Sequence, residues 1–142
     1  MLKIDEPIIY KATVPVRFSD IDRYNHVNTT CYIDYVFTAR SRFCEKEFKL
    51  SVSDFEKKGI LFYTKRIEIN FNVPIPSNQS EIWVESYATT IDGARVSIDF
   101  KIETPEKSLV FANGSFDIVF IDAKTFKPMK DASWVHQYIY RE

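Results

Sequence analysis

The sequence predicts an α+β domain: an antiparallel sheet of five to six strands wrapped around one long helix. Three observations carry that prediction. Apolar residues alternate with polar ones early in the chain, recur at three- and four-residue steps after Asn28, and alternate again beyond Gly59. Helix and strands are therefore segregated along the chain, the mark of an α+β layer pair. A hydrophobic content of 45% over 142 residues, a third of it aromatic, suffices for one core and argues against disorder. No linker, repeat or low-complexity tract divides the chain, so residues 1–142 read as a single domain.

The elements follow in order. Ile8 to Phe18 reads as a first strand, with Ile8, Tyr10, Ala12, Val14 and Val16 on one face and Lys11, Thr13 and Arg17 on the other. Pro15 suits an edge better than the middle of a sheet. A helix begins at about Asn28, where Asn28 or Thr29 can cap it, and runs to Glu47, roughly 28 Å at 1.5 Å per residue. Tyr32, Tyr35, Val36, Ala39 and Phe43 form its apolar stripe. Ser53 is expected to cap a second, short helix that Gly59 stops. Ile67, Ile69, Phe71 and Val73 mark a strand ended by Pro74 and Pro76. Glu81 to Thr90 and Arg95 to Glu103 make a hairpin about Asp92-Gly93. Leu109 to Ile121 is a last long strand, with Gly114 expected at a bulge, and a short helix near Ser133–Tyr140 closes the chain.

Composition narrows the function classes. A net charge of −1 with acids and bases mixed offers no basic stripe, so nucleic acid is not an expected partner. No apolar run reaches membrane-spanning length, and Met1-Leu2-Lys3-Ile4-Asp5-Glu6-Pro7 lacks the apolar centre of a signal peptide, so the expected location is cytoplasmic. Cys31 and Cys44 fall in the same helix, roughly 20 Å apart and beyond disulfide reach, which makes them apolar fillers. With His26 and His136 the only histidines, no metal-ligand spacing is present, and no metal or redox cofactor is expected.

The chemistry concentrates before the long helix. Phe18 to Asn28 holds Asp20, Asp22, His26 and two asparagines, directly ahead of a helix start that offers unpaired N–H groups and a positive dipole end. A carboxylate held opposite such donors can attack a carbonyl, or activate water to do so, while the N–H groups stabilise the oxygen. That layout fits acyl transfer. Asp20 reads as a loop-holding residue and His136 as structural or exposed. Alternating charge on an open strand face accounts for Arg95 as readily as a phosphate contact does.

Asp20-Ile21-Asp22-Arg23-Tyr24-Asn25-His26-Val27-Asn28, with Tyr32 four residues on and Ala39-Arg40 beyond, resembles a hotdog-fold thioesterase. The likeness is to the group containing 4-hydroxybenzoyl-CoA, short acyl-CoA and plant acyl-ACP thioesterases, with their Asp-x-Asp-x-x-Gly-His-Val-Asn-Asn-x-x-Tyr pattern. The resemblance implies hydrolysis of an acyl-CoA or acyl-ACP thioester to acid and thiol. Asp22 takes the place of the catalytic carboxylate, as nucleophile or general base. Thr29 supplies the backbone N–H that polarises the carbonyl, and His26 orients water or the carboxylate. Asn25, Asn28 and Tyr32 line the substrate side, and the pantetheine arm is expected to run past Arg95 and Ser97. Three departures stand out: Asn25 replaces a glycine, Thr29 replaces the second asparagine, and Tyr24 sits where the plant enzymes carry a catalytic asparagine. Asn tolerates positive φ, so Asn25 can keep the turn. The resemblance also implies a homodimer or homotetramer, which would cover sheet edges otherwise prone to aggregation. Two other readings remain: a non-catalytic acyl-CoA or acyl-carrier binding module, and, ranked lowest, an enoyl-thioester hydratase, whose Asp-x-Asn-Pro-x-His loop is absent.

Overall fold

Alternation of Val, Ile, Phe and polar residues drives the second half of the chain into strands, and these pair with the N-terminal strands in one six-stranded antiparallel sheet. The structure is a computed structural model and describes residues 1–141. Its strands are β1 (Leu2–Lys3), β2 (Tyr10–Pro15), β3 (Ile60–Phe71), β4 (Glu81–Asp92), β5 (Arg95–Glu103) and β6 (Val110–Asp122). The order is β4-β5-β6-β3, with β1 and β2 sharing the outer edge of β4. The sheet has two outer edges, β1 with β2 on one side and β3, a twelve-residue strand, on the other.

One helix, α1 (Cys31–Phe48), packs on a single face of the sheet through Tyr32, Tyr35, Val36 and Ala39, all buried. The inward residues of β5, Val96, Ile98, Phe100 and Ile102, meet them in one core with Ile82 and Val84 of β4 and Phe116 and Phe120 of β6. This is the α+β arrangement the periodicity predicts. Cys31 and Cys44 are unpaired and half-buried on α1, as expected of fillers. Neither helix is long and apolar enough to cross a membrane.

Boundaries depart from expectation where side chains outweigh pattern. The first strand is shorter than Ile8–Phe18: the Ile8 N–H donates to Ile139 O at 2.9 Å, and Phe18–Asp20 coil into a 3-10 turn. The helix starts at Cys31, with Asn28 Oδ1 accepting the Thr30 N–H at 3.0 Å, and ends at Lys49 in the left-handed region. Helix α2 (Val52–Lys57) is capped by Ser51 and not Ser53. Ser51 Oγ accepts the Asp54 N–H while Asp54 returns a carboxylate to the Ser51 N–H at 2.7 Å, a reciprocal capping box. The closing segment is a 3-10 helix over Ser133–Tyr138.

The β4–β5 turn is Gly93-Ala94, with φ +60 at Gly93, as a glycine-first two-residue hairpin turn demands. Gly114 is not at a bulge. It pairs in regular register with Ile69 and Phe100, and the register shifts lie at Thr64/Arg66, Ala88/Thr90 and Ile102/Glu103. Its glycine answers close approach instead: a Cβ there would collide with Glu68 O and crowd the Phe100 ring at 3.0 Å. Gly114→Ala is accordingly expected to destabilise the sheet by about 1–3 kcal/mol, the usual cost of overpacking, read as a lower urea midpoint.

Candidate active site

The loop between β2 and α1 is built around Asp20. This residue is 3% exposed, yet its carboxylate accepts the Tyr35 hydroxyl at 2.7 Å, the Arg17 N–H at 3.0 Å and the Arg17 guanidinium at 3.0 Å. Its own carbonyl takes the Asn28 N–H at 2.8 Å. Burial alone would raise the Asp20 carboxyl, but the Tyr35 and Arg17 hydrogen bonds hold it below its ordinary value. Burial, with the same carboxylate, pushes the Tyr35 phenol up. Asp20 thus has the structural role expected of it.

Residues 21–27 fold back on themselves. Ile21 and Val27 bridge, the Asp22 N–H donates to His26 O at 2.8 Å, and the Asn25 N–H donates to Asp22 O at 3.1 Å. Asn25 has φ 63, the positive value its substitution for glycine requires. The loop then leans on the segment after β3. The Val27 N–H reaches Ile75 O at 2.9 Å, the Ser77 N–H reaches Asn25 O at 3.0 Å, and the Tyr32 hydroxyl accepts the Ile75 N–H at 3.1 Å.

Within this frame Asp22 is half-buried. Its Oδ1 accepts the Tyr24 N–H at 2.8 Å and the His26 N–H at 3.4 Å, while Oδ2 meets no donor among the described residues. One oxygen is fixed and the other is free. Burial pushes the Tyr32 phenol up, the Ile75 N–H it accepts offsets part of the rise, and the Asp22 charge adds to it. At the first turn of α1 the Thr30 N–H goes to the Asn28 side chain, the Cys31 N–H to Asn28 O at 2.9 Å and the Tyr32 N–H to Thr29 O at 3.4 Å. The Thr29 N–H alone has no acceptor among the described residues. His26 is exposed, and its ring likewise has no partner there.

The structure therefore brings Asp22, Asn25, His26, Asn28, Thr29 and Tyr32 together. It does not bring Arg95 and Ser97 to them. On β5, Val96 and Ile98 face the core, so Arg95 and Ser97 lie on the sheet's opposite face. There the Arg95 guanidinium is taken up by Asp117 at 2.6 Å, which Arg66 also contacts at 3.2 Å.

A cavity of about 1090 Å³ opens elsewhere, between the second half of α1, α2 and the first half of β3. Phe37, Arg40 and Cys44 line it from the helix, and Leu61 to Lys65 from the strand. No residue of the Asp22 loop touches it. The two lie toward opposite ends of β3: the Tyr32 ring meets Phe71 at 5.0 Å, whereas Phe55 meets Phe62 at 5.2 Å. Sequence reading left Arg40 unassigned. The available signal was its place four residues after Val36, a charge on the buried side of the helix. Among the described residues, no group of three His, Cys, Asp or Glu side chains could hold a metal ion.

A six-stranded antiparallel sheet wrapped on one long helix is the hotdog architecture. The family model of the thioesterase-like superfamily matches residues 16–136, and the chain belongs to that superfamily. That membership places it among thioester hydrolases. It is 25% identical over 125 residues to YneP of Bacillus subtilis (strain 168), to which an acyl-CoA thioesterase activity is attributed, covering 86% of each chain. A thioesterase-superfamily structure from Jannaschia sp. CCS1 superposes with a TM-score of 0.80 at 15% identity, over 98% of this chain and 94% of that one. The DHNA-CoA thioesterase of Staphylococcus aureus gives 0.75 at 19% identity, over 92% and 83%. These structural likenesses establish the hotdog fold.

The Asp20 network yields a stability prediction. Asp20→Asn keeps the shape and removes the charge, and is expected to cost about 2 kcal/mol at neutral pH, as loss of charge-assisted hydrogen bonds does. A carboxyl held below its unfolded value stabilises the fold above the unfolded pKa of about 3.9, and that contribution drains away as pH falls through the folded value. Urea unfolding from neutral pH downward should show wild type and variant converging in acid.

Proposed function

We propose that the protein hydrolyses acyl-CoA thioesters, with Asp22 as the acting carboxylate and the Thr29 N–H as the donor to the thioester carbonyl. The observation that carries this reading is the pairing of one unpartnered carboxylate oxygen with one unpartnered helix-start N–H on the same loop-helix junction. The carbonyl oxygen gains negative charge as the tetrahedral state forms, and a preorganised N–H at the positive end of α1 stabilises it there. Asp22 attacks the carbonyl carbon or takes a proton from the attacking water. Collapse of the tetrahedral state expels the thiolate, which is protonated to CoA thiol; the water route leaves the acid directly, and the attack route leaves a mixed anhydride on Asp22 that water then hydrolyses to the acid. Water is the only co-reactant. The likeness to YneP supports CoA as the carrier.

The working unit in this reading is a homodimer. The acyl cavity lies toward the start of β3 and the Asp22 loop toward its end, so one chain keeps them apart. The β3 edge is unpaired, and Tyr63, Ile67 and Phe71 on this strand are 57%, 45% and 51% exposed. Antiparallel pairing of two β3 edges reverses one strand against the other. It sets the Asp22 loop of each copy at the cavity of its neighbour and removes the open edge.

Thiol release from a panel of acyl-CoAs tests the chemistry. Asp22→Asn is expected to lower kcat about a hundredfold or more with circular dichroism unchanged. No release from any panel member, or full turnover in the variant, overturns the reading. Ile67→Lys, on the β3 edge, is expected to give a folded monomer by gel filtration that has lost activity; an active monomer would refute the shared site.

A further inference from the structure

Arg40 carries a charge that no group among the described residues neutralises. Its Cζ sits 4.2 Å from the centre of the Tyr10 ring and 5.7 Å from that of Phe116, and Nη1 donates to Ser86 Oγ at 2.9 Å. Among the described residues no carboxylate lies within ion-pair distance of it. Arg17, Arg66 and Arg95, by contrast, each have one. The remaining donors, on Nε and Nη2, have no acceptor among the described residues, and the residue lines the cavity. Burial without a counter-charge lowers the Arg40 pKa. The rings offset part of that cost through cation–π attraction, but they use none of the guanidinium hydrogens. A free Nε–Nη2 edge is the fork that receives a carboxylate with two parallel hydrogen bonds.

The walls around this fork are apolar and aromatic: Phe37, Phe55, Phe62 and Phe116 contribute to them, with Ile98 beneath. A ligand suited to this cavity has a hydrocarbon body and an anionic end. We propose that Arg40 binds a carboxylate at the far end of the acyl tail, so that the preferred substrates are half-thioesters of dicarboxylic acids. This rests on the hydrolytic reading above, and it adds the recognition of one substrate class. Ser86 holds Nη1, which leaves the Nε–Nη2 edge as the one available to a ligand.

The test compares two thioesters of equal tail length, octanoyl-CoA and the mono-CoA thioester of octanedioic acid. Wild type is expected to favour the second by about tenfold or more in kcat/KM, chiefly through KM. In Arg40→Met, which keeps length and removes charge, that ratio is expected to fall to one or below, and in Arg40→Lys to take an intermediate value. A wild-type ratio of one or less overturns the proposal. So does a preference that survives in Arg40→Met, or a variant that loses both substrates in equal proportion, since a merely structural arginine would act in that way. Should Arg40→Met not fold, the Arg40→Lys ratio decides, and an unchanged ratio there overturns the proposal. Calorimetric titration of wild type with octanoate against octanamide, its uncharged counterpart, reads recognition without turnover. Tighter octanoate binding with no hydrolysis of either thioester would uphold the anion site and defeat the hydrolytic reading, whereas equal binding would defeat the anion site alone.

Discussion

The buried Asp20 carboxylate joins strand, loop and helix, and the geometry of the site follows from it. A charge taken out of water is tolerated only when its oxygens are filled by donors. Here those donors come from both sides of the junction: Arg17 just after β2 and Tyr35 on the first turns of α1. The Asn28 N–H, bound to the Asp20 carbonyl, pins the last loop residues before the helix. With its ends clamped to a core-anchored helix, the segment carrying Asp22 has few ways to move relative to the Thr29 N–H. Ile75 supplies the third support, receiving Val27 on its carbonyl and giving its N–H to Tyr32. Two carboxylates in one turn thus have opposite fates, the one saturated by protein donors and the other left with a free oxygen.

How far the sequence reveals this depends on the range of the interactions. The loop was legible because its determinants are local. A positive φ at Asn25, an Asn28 side chain that accepts the Thr30 N–H ahead of the helix, and a fixed offset from Asp22 to Thr29 are properties of consecutive residues. The stripe on α1 and the alternation on β5 were legible for the same reason, since one period defines one face. What period two cannot state is which face meets the helix, and Arg95 and Ser97, expected along the pantetheine arm only from the resemblance, lie on the face of the sheet away from α1. Caps show the same limit at short range. Ser51 and Ser53 are equally good cap residues, each with an acid three residues on (Asp54 and Glu56), and the folded chain forms the Ser51–Asp54 pair. The strand Leu2–Lys3 is two residues long and has no periodicity to read.

The cavity and Arg40 were hidden for a different reason. Their environment is assembled from α1, α2, β3 and the inner faces of β5 and β6, segments that no spacing rule relates. An arginine on a buried helix face is a visible conflict in the sequence, but its resolution by Tyr10 and Ser86 depends on contacts across 30 and 46 positions. Conflict between local pattern and chemistry is a useful marker in itself, because folds keep such residues mainly where something other than stability is served.

The same logic applies to what the fold leaves unsatisfied. Its interior is closely saturated: among the described residues the only deeply buried side-chain oxygen or nitrogen without a hydrogen bond is Glu103 Oε1, which has the Lys101 ammonium 3.5 Å away. Against that background the open groups are few and placed. Asp22 and Thr29 belong to one loop–helix junction, Arg40 lines the cavity toward the other end of β3, and the unpaired edge of β3 runs between them. Each is a group that a protein of this size would be more stable without, or with a partner for. In the proposed dimer, reversing one β3 against another would satisfy that backbone directly and would set an open carboxylate and N–H opposite an open cation, with an apolar space between. A thioester whose acyl group ends in an anion has the complementary order of groups along its length.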